Sequence, residues 1–332
     1  MKKLKLLIFI LLSITILSCN EPEDKDGFWE PTSRPSKPVG RITVANNGDI
    51  WATPFSSDTP VSELPSLPIY LSTDNGDTWV QKFSFQVRGI TSIAINSING
   101  YIFFNASSVG GGIFRSTNRG EYWLRLIDVP GNDFLLTPSG ELYLGTYRDI
   151  FYSSDNGDNW IEKSNGLPPN QTVVSLALGK DGTLYEGTSS GGVYRSSDGG
   201  DTWLPPSNHN FDVLLIRGLA VANDGSIFAS AWTKGLLKST DKGVTWTQIN
   251  TGLAVDEDAN LIVYNPITNE IFASDAFYHS GIYRSTDLGE SWKLENSGIP
   301  NNRMISALAF NPNTGQMYVA TDNGFYRSKN YP

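Results

Sequence analysis

The sequence is poor in the residues on which most covalent and metal chemistry depends. It has one cysteine and two histidines in 332 residues. With Cys19 as the sole thiol, no intramolecular disulfide can form. His209, His279 and one cysteine do not supply the usual zinc constellations, so no metal and no cofactor is expected. The same shortage argues against a serine triad. "GTSSG", Gly187 to Gly191, fits G-x-S-x-G, but a nucleophile elbow turns from strand into helix and a hairpin is expected here. "DEDAN", Asp256 to Asn260, opens like a calcium loop, yet the sixth position is not Gly and the twelfth is Ile267. Basic charge is also scarce. Lys and Arg number 25 against 34 Asp and Glu, a formal charge of −9. Phosphate backbones need a basic surface, so nucleic acid is excluded as a partner. Outside the N-terminus no segment has the pattern of a long amphipathic helix.

The N-terminus is a targeting segment. Lys2, Lys3 and Lys5 precede a short apolar run, Leu6 to Leu17, too short to span a bilayer comfortably. It ends in "ILSC", Ile16 to Cys19. That ending resembles the lipobox of bacterial lipoproteins, which implies cleavage before Cys19 and lipidation of its thiol. Residues 1–18 are then a signal peptide, and loss of three lysines takes the formal charge from −9 to −12. Residues 19–27, "CNEPEDKDG", read as an acidic flexible tether. Acidic residues after the lipidated Cys resemble the surface-export signal of some Gram-negative lipoproteins. The implied location is the outer membrane, with exposure at the cell surface.

One phrase recurs along the rest. It begins at Ser72, Ser116, Ser153, Ser196, Ser239 and Ser285, with spacings of 44, 37, 43, 43 and 46 residues, and a cut-short seventh begins at Ser328. A period of about 40–45 residues with short strands is that of a β-propeller blade. S-x-D-x-G-x-x-W resembles the Asp-box, or BNR repeat, of sialidases, xyloglucanases, sortilin-type receptors and photosystem assembly-factor propellers. The aspartates are Asp74, Asp155, Asp198, Asp241 and Asp287, with Asn118 in the second copy. This side chain should accept backbone N–H groups and close a turn, with Gly taking angles other residues resist. The Trp should open the next strand and bury its ring between blades. These residues are scaffold; in enzymes of this type such turns lie on the face away from the active site. Five of the seven residues before the Ser are basic (Arg115, Arg195, Lys238, Arg284, Arg327) and, as part of the repeat, are read as structural.

Each repeat reads as four strands, A to D. In the fifth these are Leu219–Asn223, Ser226–Ser230, Gly235–Ser239 and Thr245–Ile249. Seven turns begin, but only six are followed by a Trp: Trp79, Trp123, Trp160, Trp203, Trp246 and Trp292. "GFWEP", Gly27 to Pro31, supplies the missing one. The expected fold is therefore all-β: residues 28–332 form one seven-bladed propeller of four-stranded blades, closed by an N-terminal strand that completes the last blade.

In a propeller the D–A and B–C loops share a face at the channel mouth, where ligands bind. Arg41, Arg88, Arg217 and Arg303 lie at or before the start of strand A, suited to clamping carboxylates. Ion pairing with loop acids such as Asp133, Asp212, Asp256 and Asp258 is the competing expectation. Tyr147, Trp232, Phe277 and Tyr278, with His279, fall in B–C loops and suit sugar or peptide stacking. The first B–C loop, Thr53–Pro68, is long enough to shelter a site. Glu186 stands where other blades have Ala52, Phe104, Leu144, Ala229, Ala273 and Val319. A charge there needs a partner, and an arginine across a blade interface is expected.

These features lead to a lipid-anchored, monomeric propeller that binds a glycan or a protein and is not an enzyme. The alternative is a glycoside hydrolase of the sialidase or xyloglucanase kind, for which Glu186, Asp212 and Asp133 are the carboxyl candidates. Sialidases have six blades and an early Phe/Tyr-Arg-Ile-Pro motif, missing here; xyloglucanases use two propellers, and this chain has length for one. A third reading, from the resemblance to photosystem assembly factors, is an assembly or scaffold role at a membrane complex.

Overall fold

The computed structural model describes residues 27–54, 66–107, 110–206, 214–253, 259–275, 281–301 and 303–329. Its twenty-seven strands form seven antiparallel sheets, six of four strands and one of three, each running outward from an inner strand A. The inner strands are Val39–Val44, Gly89–Ile95, Asp133–Leu136, Val173–Leu178, Ile216–Val221, Ala259–Asn265 and Ile305–Phe310. Strand B is buried on both faces, as in Ile50–Pro54, Leu184–Thr188, Ile227–Ala231 and Met317–Thr321. Blades stack face to face, so strand B is largely shut off from water and carries mostly small or apolar residues, with Asn105 and Glu186 among the exceptions. The core consequently lies between blades: Phe228 and Ala220 of blade 5 share one cluster with Ile262, Ile271 and Trp292 of blade 6.

The repeated turn has the expected chemistry. In blade 5, Ser239 Oγ donates to Asp241 Oδ1 at 2.8 Å and accepts from Gly243 N at 2.8 Å, while Asp241 Oδ1 accepts from Thr245 N at 2.8 Å. Asn118 keeps the backbone bond, accepting from Tyr122 N at 2.9 Å, and lacks the second bond that Asp241 Oδ2 accepts from Thr245 Oγ1. The residue between Asp and Gly is left-handed in six copies: Asn75, Arg119, Asn156, Gly199, Lys242 and Leu288. Several of these reach back one blade. Arg119 pairs with Asp49 at 2.5 Å, Lys242 with Asp181 at 2.7 Å, and Asn156 Oδ1 accepts from Asn99 Nδ2 at 2.9 Å. The basic residue before the Ser mostly reaches forward instead. Arg115 meets Asp158 at 2.9 Å, Lys238 meets Glu290 at 2.9 Å, and Arg327 meets Asp77 at 3.0 Å. The turns thus clasp neighbouring blades in both directions, which accounts for them as scaffold.

Ring closure is as expected. Trp29 to Pro31 pairs with strand C of blade 7, Trp29 opposite Ser328 and Pro31 opposite Tyr326. Trp29 repeats the contacts of Trp203 and Trp292. Its Nε1 donates to Glu295 O at 2.7 Å, as Trp292 donates to Ile249 O and Trp203 to Lys163 O, in each case one blade back. Gly166, Gly252 and Gly298 let the chain approach Trp203, Trp292 and Trp29; a Cβ at any of them would fall within 2.2 Å of a backbone oxygen.

Blade 4 departs from the pattern. Its sheet has three strands, and the fourth shrinks to one bridge, Arg195 with Leu204. Pro205 and Pro206 follow immediately and have no N–H to extend the ladder. The consequence reaches blade 5. Trp246 Nε1 is buried without an acceptor among the described residues, although Trp203 and Trp292 bond to the preceding blade's outer segment and Trp123 and Trp160 to their own turns.

Candidate functional site at the channel mouth

A β-bulge marks the start of strand A in six of the seven blades, with Gly40, Thr91, Val174, Arg217, Asn260 and Ser306 as the extra residues. A bulge re-aims neighbouring side chains and frees backbone groups from the ladder. Here those groups stitch adjacent blades around the mouth. Ser306 Oγ donates to Val39 O at 2.6 Å, Arg41 Nε to Thr91 O at 2.5 Å, and Leu176 N to Asp133 Oδ2 at 2.8 Å.

Arg41 and Asp133 occupy equivalent positions in blades 1 and 3, opposite Thr53 and Gly145 of their strand B. Arg41 also donates to Gly40 O at 2.8 Å. Solvent reaches Arg41 along the channel, yet protein surrounds it. That enclosure lowers its pKa from the ordinary value, while the field of Asp133 works in the opposite direction. Burial pushes the Asp133 carboxyl up to about 6, against amide hydrogen bonds from Leu176 and Phe134 and the field of Arg41. The two sense each other without forming an ion pair, and among the described residues Arg41 pairs with no carboxylate.

On another part of the rim, Arg217 lies 4.2 Å from the centroid of the Trp232 ring and donates to Asn260 Oδ1 at 3.2 Å. The next residue, Thr233, is left-handed (φ 65°), a costly conformation for a β-branched side chain. Arg303 approaches Asp322 at 3.8 Å, and Arg88 makes no ion pair or hydrogen bond among the described residues. Tyr147 is 60% exposed, with the Arg148 guanidinium 5.5 Å from its ring. Among the described residues Arg303 meets an acid, and one not anticipated, Asp322; Asp212, Asp256 and Asp258 are not among those residues. Phe277, Tyr278, His279, Cys19 and most of the loop Thr53–Pro68 also lie outside the described residues.

Glu186 corrects the sequence reading. It is 1% exposed, it makes no ion pair, and its Oε2 has no hydrogen-bond partner among the described residues. Among the described residues no arginine meets it. Burial alone pushes its carboxyl up to about 8. Its cross-strand neighbours are Leu176 and Tyr194. The protonated acid, not an ion pair, is what this interface accommodates at neutral pH. Among the described residues no group of three His, Cys, Asp or Glu is placed to hold a metal.

No protein-family model matches the chain, and no curated protein sequence does. Solved structures do match. A GH74 xyloglucanase from Xanthomonas campestris superposes with a TM-score of 0.70 at 18% identity, covering 91% of this chain and 53% of that one. The chain thus spans about half the length of that enzyme. YCF48 bound to D1 peptide superposes with a TM-score of 0.68 at 14% identity, covering 92% of this chain and 98% of that one. The extracellular domain of a one-component system from B. thetaiotaomicron gives 0.65 at 16% identity, over 91% of this chain and 39% of that one. These likenesses, all under 25% identity, support the seven-bladed propeller fold, shared by a xyloglucanase, YCF48 and the extracellular domain of a one-component system.

Proposed function

We propose that the protein is a lipoprotein of the bacterial outer membrane, anchored through Cys19, whose Asp-box propeller binds a glycan or protein ligand on its D–A/B–C face without catalysis. One observation carries this reading. Among the described residues the mouth presents Arg41 and Arg88 without carboxylate partners and an exposed Tyr147, whereas neither Glu186 nor Asp133 is paired with a second carboxyl across an open cleft. Glu186 is sealed between blades, and Asp133 spends one oxygen on the Leu176 amide. A hydrolase needs two carboxyls flanking an open space for the scissile bond. The ring sits near the membrane as a monomer, held at its closure seam by the short tether that precedes Gly27.

The likeness to the GH74 xyloglucanase supports the second reading, a glycosidase, over half of that enzyme's length. The near-complete coverage of YCF48 supports the third, an assembly or scaffold role. Glycan arrays and fluorogenic glycosides separate these readings. Binding without turnover is expected; turnover abolished by Glu186→Gln or Asp133→Asn would establish the hydrolase.

A further inference from the structure

The Arg41 guanidinium is fixed at two of its nitrogens by backbone carbonyls, Thr91 O from Nε and Gly40 O from Nη1. Carbonyl partners orient the group but leave its charge uncompensated, and its Nη2 is not engaged. Arg41 is exposed and among the described residues meets no carboxylate, so an oriented guanidinium stands open to an anionic ligand. Asp133 stands at the same height on the channel wall with only blade 2 between, joined to Leu176 N through Oδ2. It makes no ion pair with Arg41 among the described residues, and it is half-buried, so its carboxyl can also be reached from outside. A phosphate monoester, carrying up to two negative charges, would confront this carboxylate. A single carboxylate with hydroxyl donors on adjoining carbons satisfies both poles at once.

We infer that Arg41 and Asp133 form a subsite for a uronic-acid residue of an acidic polysaccharide, with the sugar carboxylate on Arg41 and ring hydroxyls donating to Asp133. This rests on the reading of the mouth as a glycan-binding face and narrows it. The Trp232–Arg217 pair on blade 5 lies farther round the same rim, where a neighbouring sugar of the chain can stack. The protein's overall negative charge keeps polyanions off the rest of the surface, so recognition depends on this local cation.

The test is affinity electrophoresis of the full chain in detergent against three polymers: polygalacturonate, its fully methyl-esterified form, and dextran sulfate. Polygalacturonate should bind, and esterification should weaken binding at least tenfold. Arg41→Ala should cost about 10- to 100-fold, the worth of a charge-assisted hydrogen-bonded pair. Lys180→Ala, which removes an equal charge from the opposite face, should leave binding unchanged. If Arg41→Ala fails to fold, competition on the native chain replaces it: free galacturonate should displace the polymer, and galactose should not. Equal binding of the esterified polymer would overturn the uronate subsite while leaving a glycan-binding face. Equal binding of dextran sulfate, or equal damage from Lys180→Ala, would overturn it as mere polyanion attraction. Binding of no glycan at all would remove the glycan reading and the subsite with it.

Discussion

Glu186 makes the stability of this protein fall as pH rises, over a range where most carboxylates have no effect. When folded, its carboxyl keeps its proton up to about 8, whereas the ordinary value is 4.5. Between those two values the folded state binds more protons than the unfolded state. Unfolding free energy therefore declines with pH across that interval and is flat above it. At 1.36 kcal/mol per tenfold change in proton activity, the full loss is about 5 kcal/mol, and relaxation of the interface to admit water makes this an upper bound. Asp133, raised to about 6, adds a loss of the same sign at lower pH. Glu186→Leu isolates the first effect, because Leu144 fills the equivalent position of blade 3. Urea unfolding at pH 5 and pH 8 measures it. The stability difference between variant and wild type should move in the variant's favour by about 3–4 kcal/mol from pH 5 to pH 8. Parallel pH profiles would show that Glu186 is ionised and compensated in the folded state, and the reasoning would fail.

Three further outcomes follow from the fold. Trp29→Ala removes a side chain 1% exposed, whose indole bonds to Glu295 O and packs edge-on to Phe28. It should cost about 3–5 kcal/mol and lower the melting temperature by roughly 5–8 °C; a melt within 1 °C of wild type would refute closure. Trp292→Phe loses a hydrogen bond of 2.7 Å, whereas Trp246→Phe loses none, so the first should cost about 1–2 kcal/mol more in matched denaturation curves. Thr233→Gly relieves a left-handed β-branched residue and should raise stability by about 1 kcal/mol by the same assay.

The turns were legible in the sequence because their chemistry is local. Ser, Asp and Gly act within five residues, so a repeat in sequence is a repeat in structure. Closure was legible for a related reason: a missing Trp in one place and a spare one in another can be matched without coordinates. Trp29 proved the equal of Trp203 and Trp292 down to the glycine that approaches it. That glycine carried a second signal, overlooked in the sequence. "SNGLP", "NTGLA" and "NSGIP" each end with Gly and an apolar residue just before the next blade, at Gly166, Gly252 and Gly298. Strand limits were less visible. Strand A of blade 5 begins at Ile216, three residues before the expected Leu219, and its strand D shrinks to Thr247–Gln248.

The site was obscured by the bulge at the start of strand A. A bulge adds a residue to one strand, so the next side chain changes face relative to an unbulged alignment. The six extra residues are Gly, Thr, Val, Arg, Asn and Ser, which share no chemistry that could announce the feature. Aligned by sequence, Arg41 and Arg217 look merely offset from Arg88 and Arg303. Folded, Arg217 is itself a bulged residue packed on Trp232, while Arg41 stands one place beyond the bulge, level with Asp133. Glu186 misled for the opposite reason. Its position in a buried strand was plain, but whether a buried carboxyl meets an arginine or keeps its proton depends on which blade faces it. Pairs set by the strand ladder repeat along the chain. Pairs between blades repeat only where the turns make them, as Arg115–Asp158 and Lys238–Glu290 do, and the chemistry at this mouth does not repeat.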